Sequence, residues 1–148
     1  MQKTMLEILL IEDNPFEAEL TIRSLKKSNL ANHLVHIDDG AEALDFIFSR
    51  GKYQSESLQS NPKLILLDIK LPKVDGIEVL RQLRANESTK LIPIVMLTSS
   101  KENIDIKTCY ELGANSYIVK PVDFDSFAKA VADLGMYWML LNNPADNK

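Results

Sequence analysis

Four short apolar runs of this sequence end on residues with chemistry to offer. Ile8-Leu9-Leu10-Ile11 leads into Glu12-Asp13, and Leu64-Ile65-Leu66-Leu67 into Asp68. Ile94-Val95-Met96-Leu97 leads into Thr98-Ser99-Ser100, and Tyr117-Ile118-Val119 into Lys120-Pro121. Continuous apolar runs of this length read as strands covered on both faces, which implies a parallel sheet between layers of helices. In such sheets ligands gather beyond the carboxyl ends of the strands. Neighbouring strands lie about 4.8 Å apart. If the strand order is the flavodoxin-like 2-1-3-4-5, the first and third strands are neighbours, and Glu12, Asp13 and Asp68 crowd one pocket.

Three carboxylates that close repel one another unless protons, water or a cation intervene. A hard divalent ion such as Mg²⁺ meets that need, keeping several waters while binding one or two carboxylates. Lys120 stands two strands from Asp68, roughly 10 Å of sheet width, and is long enough to lean back as a second positive charge. Thr98 offers a hydroxyl from the strand between. The set suits phosphoryl transfer: a carboxylate attacks phosphorus while metal and lysine neutralise the equatorial oxygens. The hydroxyl then binds a phosphate oxygen of the product. Taken singly, a strand-end aspartate is ordinarily a helix cap and a Lys-Pro pair ordinarily a turn. Their arrival in order, each at the end of an apolar run, is what points to a shared site.

The elements that must position these residues are legible too. With Leu34-Val35-His36-Ile37 as the second strand, five strands alternate with helical patterns, which implies βαβ units and right-handed crossovers. The expected fold is α/β and flavodoxin-like: a doubly wound five-stranded parallel sheet, order 2-1-3-4-5, with five helices. Helix starts are marked by Asn14-Pro15-Phe16-Glu17, Asp39-Gly40-Ala41-Glu42 and Asp75-Gly76-Ile77-Glu78, each a capping side chain with an acid three residues on. Apolar faces follow at Ala18, Ile22 and Leu25, at Ala41, Leu44 and Phe48, and at Ile77, Leu80 and Leu83. Gly113 is placed to end the helix that turns Cys109 inward. Residues 49–62 are long for a connection and rich in turn formers, so a surface loop is expected there. A last helix begins near Asp123 and buries Phe124, Phe127, Val131 and Leu134. Beyond it, Met136-Tyr137-Trp138-Met139-Leu140-Leu141 is apolar around its whole circumference. Tyrosine, tryptophan and methionine are enriched at interface cores, so Tyr137, Trp138 and Leu141 are candidates for a self-association surface.

A chain of 148 residues, 45% of them hydrophobic, is one domain's worth and builds a substantial core. Its net charge of -4 argues against a general nucleic-acid or membrane-surface binder. No apolar run is long enough to span a bilayer, and Met1-Gln2-Lys3-Thr4 leads straight into a strand, with no signal peptide. The single cysteine excludes an internal disulfide. A reducing cytoplasm is the expected compartment.

With these motifs assembled, residues 6–134 resemble the receiver domain of bacterial response regulators. The resemblance implies a receiver domain over 1–135 and a C-terminal extension over 136–148. It implies phosphorylation of Asp68 by a sensor histidine kinase. Mg²⁺ would be held by Asp13, Asp68 and the backbone carbonyl of Lys70, with Glu12 acting through water. Thr98 matches the switch hydroxyl, Tyr117 the switch aromatic and Lys120 the family's strand-end lysine, whose bond to Pro121 is cis. Pro72 and Gly76 match the loop after the phosphorylation site. Such a protein is no enzyme beyond assisting its own phosphorylation and dephosphorylation. The phosphoryl group draws Thr98 toward it and lets Tyr117 turn inward, reshaping the surface of the fourth helix, fifth strand and fifth helix.

Two departures qualify the match. Lys70 puts a flexible cation at the pocket mouth, either as an ordinary solvated lysine or as one that tunes loss of phosphate. No DNA-binding or catalytic domain follows, so output is expected to come through contacts. The insertion and aromatic tail resemble the single-domain regulators that partner bacterial and cyanobacterial phytochromes, which implies a phytochrome-type kinase and a homodimer. A haloacid-dehalogenase-type phosphatase would want an aspartate where Lys70 stands. A flavin-mononucleotide binder would be repelled by Glu12-Asp13. An interaction module that is never phosphorylated has no need of Thr98 and Lys120 beside the acids. His33 and His36, three apart on one strand, fall on opposite faces and read as ordinary strand residues.

Overall fold

The computed structural model of the chain describes residues 7–27, 33–54 and 61–120. Five strands, β1 (Ile8–Ile11), β2 (Leu34–Ile37), β3 (Leu64–Leu67), β4 (Ile94–Thr98) and β5 (Ser116–Val119), form one sheet in the order β2-β1-β3-β4-β5. Every pairing is parallel. Helices α1 (Pro15–Lys27), α2 (Gly40–Ile47), α3 (Gly76–Ala85) and α4 (Asn103–Glu111) connect them. This is the expected flavodoxin-like arrangement, with four of the five helices among the described residues. The fifth helix, expected from Asp123, lies outside them.

The period-2 alternation of side chains divides each apolar strand between two layers. Leu9, Ile11, Ile65, Leu67, Ile94 and Met96 face one side, where α2, α3 and Cys109 of α4 cover them. Ile8, Leu10, Leu64, Leu66, Val95 and Leu97 face the other, against Ala18 and Leu25 of α1. Cys109 is fully buried, and burial followed by the charge of Asp105 pushes its thiol up to about 11. It is a packed core thiol.

Asn14, Asp39 and Asp75 cap their helices by accepting from the backbone N–H groups of Glu17, Glu42 and Glu78 at 3.0, 2.6 and 2.9 Å. The buried stripes are rotated from the faces expected: α2 buries Ala43, Leu44 and Ile47, and α3 buries Val79, Leu80 and Leu83. Ala41, Phe48 and Ile77 sit half-buried at the stripe edges. Gly113, at φ 101°, ends α4 as the left-handed residue helix ends favour. The expected surface loop after Phe48 opens instead with a 3₁₀ turn over Gly51–Tyr53. Tyr53 sets its ring edge-on to Phe46 at 5.1 Å and donates its hydroxyl to Glu42 Oε2 at 2.6 Å. An aromatic with two local partners folds a stretch that composition alone marks as loop.

Away from the pocket, Arg84 staples the far end of the sheet. Its guanidinium donates to the carbonyls of Gly113 (2.9 Å), Lys90 (3.0 Å) and Ile92 (2.8 Å), and to Asn115 Oδ1 (2.9 Å). Asn115 Oδ1 also takes the N–H of Ile94 at 2.8 Å, so one arginine fixes where β4 begins and how α4 returns to β5. Arg84→Ala is expected to lower the unfolding free energy by about 2–3 kcal/mol in urea titrations, the order of a lost charged hydrogen-bond set. Arg84→Lys recovers less than half, because an ammonium lacks the planar fork. Equal stability of the alanine variant and the wild type contradicts this account.

Candidate functional site

Strand register builds the pocket. Ile11 pairs with Leu67, so Glu12 and Asp68 emerge level at the carboxyl end of neighbouring strands. Asp68 N donates to Ile11 O at 3.1 Å, which locks that register one residue past the ladder. On the other side Thr98 pairs with Val119, and Lys120 N donates to Thr98 O at 2.8 Å. The loop from β3 to α3 folds tightly over Asp68. Gly76 N donates to Ile69 O at 2.7 Å, and a Cβ at Gly76 would meet Asp68 O at 1.9 Å. Only glycine lets the start of α3 approach the aspartate that closely.

The acids converge as expected. Ligand oxygens of Glu12, Asp13 and Asp68 all lie within 4.8 Å of one another. Glu12 and Asp68 are buried and Asp13 is exposed at the mouth. Lys120 crosses β4 to reach them: its Nζ donates to Glu12 Oε1 and to Asp68 Oδ2 at 3.1 Å, and pairs with Glu17 Oε1 at 2.9 Å. The second oxygen of Asp68 accepts from Ile69 N at 2.7 Å. Thr98 is fully buried beside the pocket and its Oγ1 accepts from Ser100 N at 3.3 Å. Tyr117 is half-buried, its hydroxyl donating to Ser100 O at 3.0 Å. Ser100 in turn donates its own hydroxyl to Asp105 of α4 at 2.6 Å. Lys70 is exposed, two residues past Asp68. Pro121 with the expected cis bond before it, and Tyr137, Trp138 and Leu141, lie outside the described residues.

Burial, reinforced by the charge of Asp68, raises Glu12 to about 7, because the Lys120 hydrogen bond offsets only part of the penalty. Burial alone would lower Lys120. Its hydrogen bonds to Glu12 and Glu17, with the charges of Asp68 and Glu12, outweigh that and hold it above the usual lysine value. The ammonium is thus a permanent cation of the pocket at neutral pH. Among the described residues, four carboxylates (Glu12, Asp13, Glu17 and Asp68) crowd this pocket while Lys120 pairs with three of them, Glu12, Glu17 and Asp68, and every free donor is oxygen. Such a set fits a hard divalent cation held through Asp13 and Asp68. The second acidic group, Asp38, Asp39 and Glu42, differs. Asp39 caps α2 and lies 3.7 Å from Lys73, and Glu42 lies 3.5 Å from Lys52.

Three contacts around Glu12 and Lys120 were not anticipated. Glu17, taken from sequence as the closing acid of a capping box, does not return to Asn14. Asn14 N donates to Glu12 Oε2 at 3.1 Å, and the Glu17 carboxylate turns to Lys120. His33 and His36 are both exposed, and His36 Nε2 donates to Glu12 O at 2.8 Å, tying the end of β2 to β1. Glu17 sits in the first helical turn after Glu12-Asp13, and that nearness was the only available signal. Its true partner arrives from the last strand.

Residues 8–132 match the response regulator receiver domain family. Response regulator Rcp1 of Synechocystis sp. is 36% identical over 132 residues, spanning 89% of this chain and 88% of Rcp1. The crystal structure of Mn²⁺-bound Rcp1 has a TM-score of 0.87 at 34% identity, covering 95% of this chain and 99% of that one. The phosphorylated cyanobacterial phytochrome response regulator RcpA gives a TM-score of 0.87 at 32% identity, with 96% and 99% covered. The bacteriophytochrome response regulator AtBRR is 49% identical with a TM-score of 0.73, with 94% and 99% covered.

Proposed function

The chain belongs to the response regulator receiver domain family, and we propose that its signal is a phosphoryl group carried on Asp68. The observation that carries this is the convergence of Glu12, Asp13 and Asp68 at the strand ends, with Lys120 paired to Glu12 and Asp68. Among the three acids, Glu12 is buried beneath the pocket and drawn toward its protonated form, and Asp13 is free at the mouth to hold metal. Asp68 is left as the nucleophile. One of its oxygens attacks phosphorus, the bond from phosphorus to the phosphohistidine nitrogen of a sensor kinase breaks, and the imidazole leaves with the electron pair. Later a water attacks the same phosphorus, releasing inorganic phosphate and restoring the carboxylate.

Receiver domains bind divalent metal; here Mg²⁺ would be held by Asp13, Asp68, the Lys70 carbonyl and, through water, Glu12. Bound there, it supplies positive charge to the phosphoryl oxygens. Lys120 donates to a phosphoryl oxygen and orients the group. Thr98 gives up its contact with Ser100 N to donate to another. Tyr117 and α4 both hang on Ser100, so movement of Thr98 is felt at the face of α4 and β5 and at the expected fifth helix. Lys70 is exposed at the pocket mouth and reads as a solvated lysine; the alternative is that it contacts the phosphate and tunes its loss. The chain assists its own phosphorylation and dephosphorylation and has no other substrate, since Lys70 stands where a phosphatase of the aspartate-nucleophile class needs an acid.

The likeness to phytochrome response regulators supports a phytochrome-type sensor histidine kinase as donor, a cytoplasmic location and output through protein contacts rather than nucleic acid. Among the described residues no helix is long and apolar enough to cross a membrane. The 1–135 receiver unit is completed by a 136–148 extension whose Tyr137, Trp138 and Leu141 join two copies. Light scattering is expected to show a dimer that phosphorylation strengthens and truncation after Leu134 weakens. Full-length and truncated chains that are equally monomeric remove the dimer. For the phosphoryl reading itself, incubation with Mg²⁺ and acetyl phosphate is expected to add one phosphoryl mass to the intact protein. An unchanged mass overturns it.

A further inference from the structure

An ammonium has three N–H donors, and Lys120 Nζ is ringed by three carboxylates: it donates to Glu12 and Asp68 and forms an ion pair with Glu17 at 2.9 Å. A phosphoryl group on Asp68 brings nearly two further negative charges and three acceptor oxygens. For Lys120 to reach them while Asp68 stays within its grasp, one present partner must give way. The three differ in what release entails. The Glu12 and Asp68 side chains are 4% and 9% exposed, so water cannot take the place of the ammonium at either of them. The Glu17 side chain is 32% exposed on the first turn of α1, where water replaces the ammonium readily.

Building on the assignment of Asp68 as phosphoacceptor, we propose that Glu17 is the exchangeable partner of Lys120, holding it at rest and competing with the phosphoryl group for it. Glu17 is a positioning residue. It touches no reacting atom, and it sets how much of the Lys120 charge the phosphoryl group receives. The helix start does not depend on the Glu17 carboxylate, because the cap runs from the Glu17 backbone N–H to Asn14 Oδ1 at 3.0 Å. Neutral substitutions therefore leave α1 capped.

The test uses the full chain with Mg²⁺ and beryllium trifluoride, an anion that mimics a phosphoryl group on a carboxylate. Apparent Kd is measured by calorimetry for wild type, Glu17→Gln and Glu17→Ser. Both variants are expected to bind the anion about two- to five-fold more tightly at low ionic strength, the range of a partly exposed ion pair. That ratio is expected to shrink toward one at about 1 M salt, where the Debye length falls to about 3 Å. A merely structural role for Glu17 predicts no such salt dependence. The steady-state phosphorylated fraction with acetyl phosphate should rise in the same two variants. Unchanged or weaker anion binding in either variant, or a ratio indifferent to salt, overturns the proposal. If the wild type binds no beryllium trifluoride and gains no phosphoryl mass, the assignment of Asp68 fails first, and this inference with it.

Discussion

Asp68→Asn gains no phosphoryl mass from acetyl phosphate and Mg²⁺, and it melts at or above the temperature of the wild type. Loss of uptake follows from chemistry: the amide oxygen is not a nucleophile of comparable strength, and no other carboxylate occupies its place. Glu12 is committed to Lys120 and to Asn14 N, and Asp13 lies outside the grip of Lys120. Retained stability follows from geometry. The asparagine Oδ1 still accepts from Ile69 N, and Lys120 keeps Glu12 and Glu17. One negative charge leaves a crowded pocket, so repulsion on Glu12 falls. Intact mass and a melting curve on the same sample check both halves. Phosphoryl uptake by the variant contradicts the assignment. A collapsed melting temperature would mean that Asp68 is a structural anchor.

The second large effect is expected at Lys120. Lys120→Met keeps the length and apolar stem of the side chain and removes the only cation within hydrogen-bond reach of Glu12 and Asp68 among the described residues. Leaving one member of a buried ion pair behind costs about 3–5 kcal/mol. The loss should depend on pH, with a sign set by Glu12. Its ordinary value of 4.5 is raised to about 7 on folding. In the wild type, the contribution of Glu12 to stability is therefore full below pH 4.5 and fades as pH rises through 7. Without Lys120 the carboxyl has still less reason to ionise. The stability gap between variant and wild type is expected to be small near pH 5, where Glu12 holds its proton, and largest near pH 8. Urea titrations at both values measure it. A gap that is the same at pH 5 and pH 8 contradicts the role given to the buried pair.

Much of this site is written locally. Five apolar runs, each cut off by a polar residue, mark the strands because a run of four covered on both faces has few other uses. The asparagine and aspartates at positions 14, 39 and 75 mark the helix starts because a short acceptor there takes an orphan N–H of the first turn. Strand-end placement then delivers Glu12, Asp13, Asp68, Thr98 and Lys120 to one edge. The turn at Gly51–Tyr53 was hidden because it depends on how Tyr53 meets Phe46 and Glu42 across a helix, not on its own composition. Arg84 was hidden for the same reason: three of its four acceptors are main-chain carbonyls of the two connections leading into β4 and β5, which no side-chain pattern announces.

Residue types and spacing, by themselves, determined the strands, the helix starts and which side chains stand at strand ends, while the strand order that crowds them together came from the expected flavodoxin-like fold. The first three rest on periodicity and capping, both local properties of the chain. Tertiary structure alone decided how the charges are shared. Lys120 takes Glu17 as well as Glu12 and Asp68, the capping box stays open, and His36 joins two strand ends. Each of those outcomes is a competition among several short-range partners, settled by which of them the fold brings within about 3 Å.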